Sequence, residues 1–573
     1  MAHDLVIRDG TVVDGSGLGS YRADVGITGG VITSVGRIRE RGRREIDAEG
    51  LVVCPGFIDG HTHLDAQLFW DPLAGSSCWH GVSTVVMGNC GFTLAPASAD
   101  ERALVVRNLE RAEDIDGRAM AAGIDWSWET FPQYLDAVDC LPKSVNCAAN
   151  VGHSALRTWA MGERAFDEPG NADDLARMRG QLEAALRAGA IGLSTSRNEN
   201  HETSDDRPVA SRLASWDEVR SLVGLMGDLG VGIFEIAAEG PGAAGDLTRE
   251  QINDRQRELA VETRVPFTFG MLATDPGGYE TLRLIDSTAA RGGRMIGQTH
   301  CRGISVLLSF KTKMPFDVLP EWREIRALPL EQQRVQLRDP AVRERLVRAG
   351  MHGDYGGWRG VGAEPRKPDF DGIKVYERGL PPNPSINELA AASGVSPVDV
   401  MIDLALASDF EQIFIQPSRF PQDPDALMAA LKHPRTVMTF SDSGAHLSQI
   451  ADSSIHSYLF GHFVRDQKLL TIEEAVRMVT LAPALAWGFA ERGLIREGMA
   501  ADINVFDLAR VAPAVPAFAD DLPGGGRRLV QRSVGFRANI VNGEIILDDG
   551  EPTGARPGRL LRNRLARQQV AAQ

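Results

Sequence analysis

The strongest signal in the sequence is Gly56-Phe57-Ile58-Asp59-Gly60-His61-Thr62-His63-Leu64-Asp65. It follows the apolar run Leu51-Val52-Val53-Cys54-Pro55, which predicts a buried strand. Because residues i and i+2 of a strand point to the same face, His61 and His63 are expected to project together from its C-terminal end. Two imidazoles in that arrangement can hold one divalent cation, and imidazole suits zinc. A strand that enters a loop is where a parallel barrel places its chemistry, so the stretch predicts a metal-dependent hydrolase.

Composition limits the class of protein and its partners. The chain has 573 residues, enough for one elaborated barrel or for several domains. Its content of 43% hydrophobic and 24% charged residues is ordinary for a soluble globular protein. Its net charge of −16 argues against nucleic acid or an anionic membrane as the main partner, and no apolar run is long enough to predict a membrane span. No secretory signal is visible, and the cysteines lack a framework spacing. We therefore expect a cytoplasmic protein that acts on a small molecule; a homo-oligomer is left open.

Short strands and turns dominate both ends of the chain. Residues 1–55 contain an Asp-Gly turn between apolar runs, and residues 486–550 contain further strand patterns and an Asn-Gly hairpin signal. The two parts are expected to complete one β-sandwich. Residues 551–573 are basic and predict a C-terminal tail or surface helix.

Residues 56–485 alternate short apolar runs with amphipathic helical patterns. This alternation predicts an α/β fold, namely a (β/α)8 TIM-like barrel. The polar, proline-rich region 310–400 is expected to be an irregular insertion or lid near the barrel mouth. The predicted strands are 84–87, 145–151, 190–194, 231–236, 265–269, 296–299, 413–415 and 437–441.

Further motifs are distributed along nearly the whole chain: Ile7–Gly15, Pro55–His63, Met87–Phe92, Val151–His153, Gly192–Thr195, Phe440–Asp442 and Arg492–Asp502. With these motifs the sequence resembles the amidohydrolase superfamily, and within it the N-acyl-D-amino-acid deacylase (D-aminoacylase) branch. The resemblance implies a (β/α)8 barrel with a β-sandwich, a zinc site and hydrolysis of an amide.

The sequence departs from that branch at two strands. D-aminoacylases place two further histidines on the fifth and sixth barrel strands, where they join a cysteine around the tighter metal. Here those strands contain Phe234-Glu235-Ile236 and Phe267-Thr268-Phe269, and neither carries a histidine. The lysine and tyrosine that bind the substrate carboxylate in that branch have no clear match either. The chain is therefore expected to form a divergent subgroup, with one zinc ion favoured over two.

The resemblance makes His61 and His63 metal ligands, and makes Asp442 both a ligand and the proton shuttle beside a metal-activated water. Cys90 is expected to join the metal as a thiolate, with a small buried hydrophobe as the alternative. His153 follows a strand and could polarise the scissile carbonyl, unless it is a satisfied structural histidine. Glu235 lies inside an apolar strand, either as a substitute ligand or as a paired structural carboxylate.

Other polar residues also follow predicted strand ends and are candidates for substrate binding. Arg197 could hold a substrate carboxylate through two hydrogen bonds. The remaining candidates are His201, His300, Arg302 and His446.

The sequence therefore predicts a zinc-dependent hydrolase of non-peptide C–N bonds, acting on an N-acyl amino acid or a related small amide. A cyclic amide or imide, a lactone or a carbamate is the alternative substrate class. A metal-poor relative that kept the fold as a binding protein is the alternative of another kind.

Overall fold

A parallel sheet of eight strands forms the centre of the computed structural model, which describes residues 3–240, 245–356, 361, 364–417, 423–449 and 453–571. In chain order the strands are β1 (Phe57–Asp59), β2 (Val82–Met87), β3 (Asn146–Gly152), β4 (Gly192–Ser196), β5 (Ile233–Ala237), β6 (Phe267–Gly270), β7 (Met295–Thr299) and β8 (Thr436–Met438). Each strand pairs in parallel with its neighbour in sequence. The predicted (β/α)8 barrel is confirmed.

The barrel closes where its first and last strands meet. Beyond β1, His61–Thr62 pairs in parallel with Phe440–Ser443, which continues β8. This pairing places the His-x-His segment and Asp442 side by side at the carboxyl ends of the strands. In a barrel of this kind that end carries the active site.

Helices cover the outside of the barrel and connect its strands. Their bounds are Arg102–Glu110, Gly117–Gly123, Phe131–Cys140, His153–Met161, Ala172–Ala188, Trp216–Leu229, Arg249–Thr263, Gly277–Ala290, Pro424–Lys432, Ile455–Tyr458 (continued by a π-helical turn, Leu459–Asp466), Ile472–Val479 and Leu481–Trp487. Single 3₁₀ turns lie at Gln67–Phe69, Cys78–His80, Gly162–Phe166 and Ala210–Leu213.

The two ends of the chain come together in one mixed β-sheet, and their completion of a β-sandwich stays a prediction. The sheet joins Leu5–Val12, Tyr21–Thr28, Val31–Gly36, Arg44–Asp47 and Val52–Pro55 to Ile503–Phe506, Phe536–Val541, Glu544–Asp548 and Glu551–Pro552. The same part of the chain also forms two short two-stranded ribbons. In one, Ala512–Pro513 pairs with Ser533–Val534. In the other, Ala517–Leu522 pairs with Gly526–Val530, and the 3₁₀ turn Pro523–Gly525 joins these two strands.

The strand that precedes the His-x-His segment differs from the prediction. Val52–Pro55 belongs to the terminal sheet, where it pairs with Ile503–Phe506, and the barrel strand begins only at Phe57. Gly56 lies at the junction, and a Cβ there would come within 2.3 Å of Ser83 Oγ. Both strands are apolar and buried, so the burial pattern alone does not show that they belong to different sheets.

The predicted irregular insertion is in fact a folded subdomain. It leaves the barrel after β7 and contains the helices Pro320–Arg326, Leu330–Arg338, Pro340–His352, Ile386–Ser393 and Pro397–Ala407, with a 3₁₀ turn at Pro315–Val318. Its small sheet orders Val306–Leu308, Phe414–Gln416 and Lys374–Val375, so the strand predicted at 413–415 lies outside the barrel. A separate apolar core around Phe316 and Trp322 holds it together, which explains why a polar segment still folds.

The C-terminal residues pack against the barrel instead of forming a loose tail. The N–H of Cys147 donates to the carbonyl of Arg559 at 3.0 Å, and the N–H of Leu561 donates to the carbonyl of Cys147 at 2.7 Å. The side chain of Asn563 donates to two carbonyls, of Leu186 and Ala190, at 2.7 Å. The helix Arg564–Ala571 follows.

Among the described residues, no single helix has the length and apolar character to cross a membrane, although the pair Ile386–Ser393 and Pro397–Ala407, bent by 94°, meets those criteria jointly.

Candidate metal centre

His61, His63 and Asp442 lie together at the barrel mouth. His61 Nε2 is 3.3 Å from Asp442 Oδ1, and His63 Nε2 is 3.6 Å from the same oxygen. Both imidazoles are fully buried. The i, i+2 spacing therefore directs both histidines to one carboxylate that lies far downstream in the chain.

Cys90 completes this cluster from the turn after β2. Its Sγ lies 3.4 Å from His61 Nε2. The turn is held by acceptors from three directions: Gly88 N–H donates to Asp65 Oδ2 at 3.0 Å, Cys90 N–H to Glu235 Oε2 at 2.8 Å, and Gly91 N–H to Ser194 Oγ at 2.9 Å. Glu235 thus positions the turn by accepting a backbone hydrogen bond, and its Oε1 is 4.0 Å from His61 Nδ1.

Backbone conformation also marks this region. Cys90, Asp442 and His446 are non-glycine residues with φ of +55°, +51° and +53°. A left-handed conformation is unfavourable for such residues and is retained where the surroundings impose it, often at functional sites. The strain here coincides with a thiol, a carboxylate and an imidazole that face one cluster.

Protein contacts orient the imidazole of His61. Its Nδ1 lies 3.1 Å from Gln298 Oε1 on β7, and Gln298 Nε2 in turn donates to Thr268 Oγ1 at 3.0 Å. With its amide oxygen turned to the ring, Gln298 accepts a hydrogen bond from Nδ1–H, which leaves the Nε2 lone pair directed at Cys90 and Asp442. Gln298 was not predictable from the sequence, because a glutamine in a barrel strand has no distinctive pattern.

These donors fit a zinc-class cation. Zinc bonds of roughly 2.0–2.3 Å in a tetrahedral arrangement place neighbouring donors roughly 3.3–3.8 Å apart. The distances among His61 Nε2, His63 Nε2, Asp442 Oδ1 and Cys90 Sγ that were given above are 3.3–3.6 Å. In addition, neither ring nitrogen of His63 has a hydrogen-bond partner among the described residues, although the side chain is buried. A bound cation would supply the partner that this ring lacks.

A glutamate missed by the sequence analysis joins the cluster. Glu113 Oε2 lies 3.5 Å from His63 Nε2 and 3.7 Å from His446 Nε2, and the residue is only 2% exposed. Glu113 lies in the acidic run Glu113-Asp114-Ile115-Asp116 between two helices. Such a run usually indicates a solvated turn, so the only available signal pointed to the surface.

The cluster gathers several carboxyl groups in a buried place. Burial raises the pKa of Glu113 and of Glu235 to about 8, and that of Asp59 to about 7. Burial opposes a charge on His63, but Glu113 and Asp442 outweigh it and raise its pKa to about 9. Burial likewise works against the Asp442 carboxylate, but His63 and His61 outweigh it and lower its pKa. An environment of this kind favours a bound cation.

Comparison with known proteins places the chain in a family. Residues 44–283 and 361–547 match the profile of the Amidohydrolase family. The chain belongs to the amidohydrolase family. The two matched segments flank the first part of the folded insertion.

Curated relatives match this amidohydrolase over almost its whole length. Three proteins of Alcaligenes xylosoxydans xylosoxydans are each 28% identical to it: an N-acyl-D-aspartate deacylase, a D-aminoacylase and an N-acyl-D-glutamate deacylase. The alignments cover 97% of this chain for the first two and 98% for the third, and 95%, 97% and 96% of the respective relatives.

Solved structures support the fold of the amidohydrolase. A D-aminoacylase structure, described as having a binuclear metal centre, superimposes with a TM-score of 0.64 at 24% identity, covering 98% of this chain and 100% of the other. An N-acyl-D-glutamate deacylase from Bordetella bronchiseptica, complexed with zinc and a phosphonate inhibitor, gives 0.63 at 24% identity with the same coverage.

Of the residues predicted to bind substrate in this amidohydrolase, His201 and His446 lie at the cluster. His201 Nδ1 is 2.8 Å from Ser196 Oγ, and its ring packs on Phe92 with centroids 5.4 Å apart. Both histidines are buried, which lowers their pKa values, that of His201 to about 3. Neutral imidazoles at these positions can act as ligands or as hydrogen-bond partners.

His153 and Arg197 have contacts that favour structural roles over the predicted ones. His153 is fully buried, with Nδ1 2.9 Å from Thr195 Oγ1 and Nε2 2.7 Å from Glu218 Oε1. Both ring nitrogens are therefore engaged by protein groups. Arg197 donates from Nε to Glu239 at 2.5 Å and from Nη1 to the carbonyl of Ala214 at 2.8 Å.

His300 and Arg302 follow β7, and Arg302 contacts the segment around residue 454. Arg302 N–H donates to His300 Nδ1 at 3.2 Å, and Arg302 Nη2 donates to Ser454 Oγ at 3.1 Å. The guanidinium also lies 5.3 Å from the ring centroid of Tyr458. A role for these two residues in substrate binding stays a prediction.

The two-stranded ribbon Ala517–Leu522 and Gly526–Val530 reaches the cleft beside Asp442. Arg528 and Leu529 line it together with Asp442, His446 and Ser441. The guanidinium of Arg528 is paired with Asp521 at 2.7 Å and with Asp71 at 3.3 Å. The C-terminal part of the chain thus forms one wall of the candidate site.

Proposed function

We propose that this protein is a zinc-dependent amidohydrolase that removes the acyl group from an N-acyl amino acid or a related small amide. The main support is that His61 Nε2 and His63 Nε2 both face Asp442 Oδ1, and that Cys90 Sγ lies beside His61 Nε2, at separations that suit one cation. The curated relatives, which carry the names of N-acyl-D-amino-acid deacylases, support the substrate class.

His61, His63, Cys90 and Asp442 would hold one ion. When bound, such an ion polarises a carbonyl and makes water acidic enough to react near neutral pH. Asp442, with its carboxylate kept ionised by the two histidines, can accept a proton from the attacking water and return it to the leaving nitrogen. Gln298 fixes the ring of His61 in the tautomer that this arrangement needs.

The substrate assignment is tested with zinc-loaded protein and a panel of N-acetyl-D- and N-acetyl-L-amino acids. Release of free amino acid from members of one series is expected. If no N-acyl amino acid is hydrolysed while a cyclic imide, a lactone or a carbamate is, the proposed substrate class is wrong. If the folded protein retains only traces of metal after purification without chelator, the binding-protein alternative is favoured.

Asp442→Asn tests the proton shuttle. Loss of a positioned general base and acid typically costs about 10²–10⁴-fold in rate, and kcat is expected to fall by that factor. Asp425→Asn, on an exposed carboxylate of the helix Pro424–Lys432, is the matched control and should keep kcat. Unchanged turnover in Asp442→Asn would contradict the assignment.

A further inference from the structure

A cavity of about 500 Å³ lies at the amino ends of β4 to β7, at the end of the barrel opposite the candidate metal centre. Its floor is apolar, because Trp487 and Phe489 pack there with Ile191 and Ile233, which lie at the amino ends of β4 and β5. Ligand sites for small organic molecules commonly have volumes of roughly 300–1,000 Å³. The cavity is therefore large enough for such a molecule.

Five arginines line this cavity, and they come from three parts of the chain. Arg264 lies shortly before β6, Arg294 directly before β7, and the C-terminal segment supplies Arg562, Arg564 and Arg567. None of the described residues that line the cavity is acidic, although the whole chain has a net charge of −16. Positive charge is thus concentrated here, against the overall balance of the molecule.

Three of these arginines have no acidic partner. Among the described residues, Arg264, Arg294 and Arg564 form no ion pair, whereas Arg562 and Arg567 have carboxylates at 3.1 Å and 3.9 Å. The surrounding protein lowers the pKa of Arg294 through desolvation, although its side chain is still accessible to solvent. A cation inside a cleft has both properties, and a bound anion would offset the cost of its desolvation.

Backbone carbonyls hold two of the unpaired guanidinium groups in place. Arg294 Nη2 donates to the carbonyl of Leu485 at 3.0 Å, and Arg564 Nη2 donates to the carbonyl of Gly230. Both carbonyls lie at the C-terminal ends of helices, where a cation is favourable. Each bond uses one of the five donors of a guanidinium, so the fixed groups keep further donors for an anion.

We propose that this cavity binds a small organic anion that combines an apolar part with a doubly charged head, of the class of phosphate monoesters. The planar fork of arginine matches the oxygens of a phosphate group. A phosphate monoester carries about −1.5 to −2 charges near neutral pH, which balances most of the charge of the three unpaired arginines. The apolar part packs on Trp487 and Phe489. The ligand is distinct from the substrate of the proposed hydrolysis, because barrel enzymes place their chemistry at the carboxyl ends of the strands.

Calorimetric titration of phenyl phosphate into the zinc-loaded full chain tests this site. We expect saturable binding of phenyl phosphate, and no binding of benzyl alcohol, which has the ring without the charge. Arg264→Gln and Arg294→Gln each remove a charge-assisted contact and should raise the Kd at least about tenfold. Arg291→Gln, which changes an exposed arginine that does not line the cavity, is the matched control and should change the Kd less than about twofold.

Two results would overturn the proposal. One is the absence of saturable binding, or equal affinity in the wild type and in both cavity variants, because phenyl phosphate bound to zinc at the other end of the barrel would not respond to either substitution. The other is binding of benzyl alcohol as tight as that of phenyl phosphate, because the cavity would then recognise the ring alone. Circular dichroism establishes that each variant is folded, and either variant provides the test if the other does not fold. Since the measurement involves no turnover, its outcome is independent of the proposed deacylase function.

Discussion

His61, His63 and His153 are all fully buried, yet the partners of their ring nitrogens differ. Both nitrogens of His153 are hydrogen-bonded, to Thr195 and Glu218, whereas neither nitrogen of His63 forms a hydrogen bond with a described residue, and its Nε2 faces the carboxyl groups of Glu113 and Asp442 at 3.5 Å and 3.6 Å. Burial alone therefore does not distinguish a ligand from a structural histidine. The distinction is whether the protein itself satisfies the imidazole, because a buried nitrogen without a partner needs an external one.

The cluster around Glu218 is predicted to be structural. Glu218 is 3% exposed and accepts from His153 at 2.7 Å and from Arg157 Nη1 at 2.6 Å. Glu218→Ala would leave the guanidinium of Arg157 buried without its partner, and we expect a loss of about 3–5 kcal/mol in the free energy of unfolding. Glu258→Ala, on an exposed glutamate, should change it by less than about 0.5 kcal/mol. Denaturant titration measures both, and equal midpoints would contradict the prediction.

The same cluster predicts an acid-dependent loss of stability. Burial opposes the charge on Glu218, but His153 and Arg157 outweigh it and lower its pKa from 4.5 to about 2. A lowered pKa in the folded state means that the stabilisation is present above pH 4.5 and is lost as the pH falls towards 2. Glu218→Gln has no such proton to bind, so its unfolding midpoint should change less between pH 5 and pH 3 than that of the wild type. If the unfolding midpoints of the two proteins change equally with pH, Glu218 is not the origin of the acid-dependent loss of stability.

At the scale of the element, the turn after β2 is a rigid part of the site. Three of its backbone N–H groups, at Gly88, Cys90 and Gly91, donate to Asp65, Glu235 and Ser194. The side chain of Asn89 also donates to the carbonyl of Thr62, next to His61, at 3.0 Å. The thiol is thereby placed by side chains from β4, from β5 and from the loop after His61–Thr62, and not by the turn's own sequence.

Glu235→Ala tests this arrangement. The variant would leave the buried N–H of Cys90 without an acceptor, which costs about 1–3 kcal/mol, and it should lower zinc occupancy because the thiol is no longer fixed. Glu235→Gln keeps an acceptor oxygen and should retain most of the stability and the zinc. The measurements are the unfolding midpoint and bound zinc after dialysis. Similar zinc loss in both variants would indicate that the carboxylate acts as a ligand instead.

At the scale of the whole molecule, one buried network joins the barrel to the terminal sheet. Asp502 Oδ1 accepts from the N–H of Asn542 at 2.7 Å, and its Oδ2 accepts from Asn146 Nδ2 on β3 at 3.0 Å and from Arg492. Asn542 Nδ2 also donates to Asn146 Oδ1 at 2.8 Å. The barrel and the C-terminal part of the terminal sheet are therefore coupled through one carboxylate.

Asp502→Ala is expected to weaken that coupling. Removing the carboxylate leaves Arg492 buried and unpaired, at a cost of about 3–5 kcal/mol. Backbone amides of Phe536–Val541 should then exchange hydrogen faster than those of β4 and β5, because the terminal sheet can open without the barrel. Hydrogen exchange followed by mass spectrometry measures this difference, with the exposed-residue variant Glu544→Ala as the control. A uniform change in both regions would show that the molecule opens as one unit.

Local sequence patterns were enough to predict the barrel. The strands from Val82–Met87 to Met295–Thr299 are short apolar runs separated by helical periodicity, and both signals are carried by adjacent residues. The insertion was predicted less well, because its core around Trp322 forms between segments whose own composition is polar and proline-rich. The strand at Phe414–Gln416 shows the same limit, since an apolar run does not reveal which sheet it joins.

By itself the sequence determined the alternation of strands and helices, the pairing of the two chain ends, and the candidate ligands His61, His63, Cys90 and Asp442. Only the tertiary structure decided that Gln298 faces His61, which lies 237 residues earlier in the chain. It also decided that Glu113 faces His63 and that Glu218 is hydrogen-bonded to His153. The physical reason is that a sequence motif depends only on neighbouring residues. The contact partner of a side chain depends instead on the order and tilt of the strands, which bring distant residues together. The site's chemistry therefore depends on both, because the ligands come from local motifs and their protonation and orientation come from the packing of the barrel.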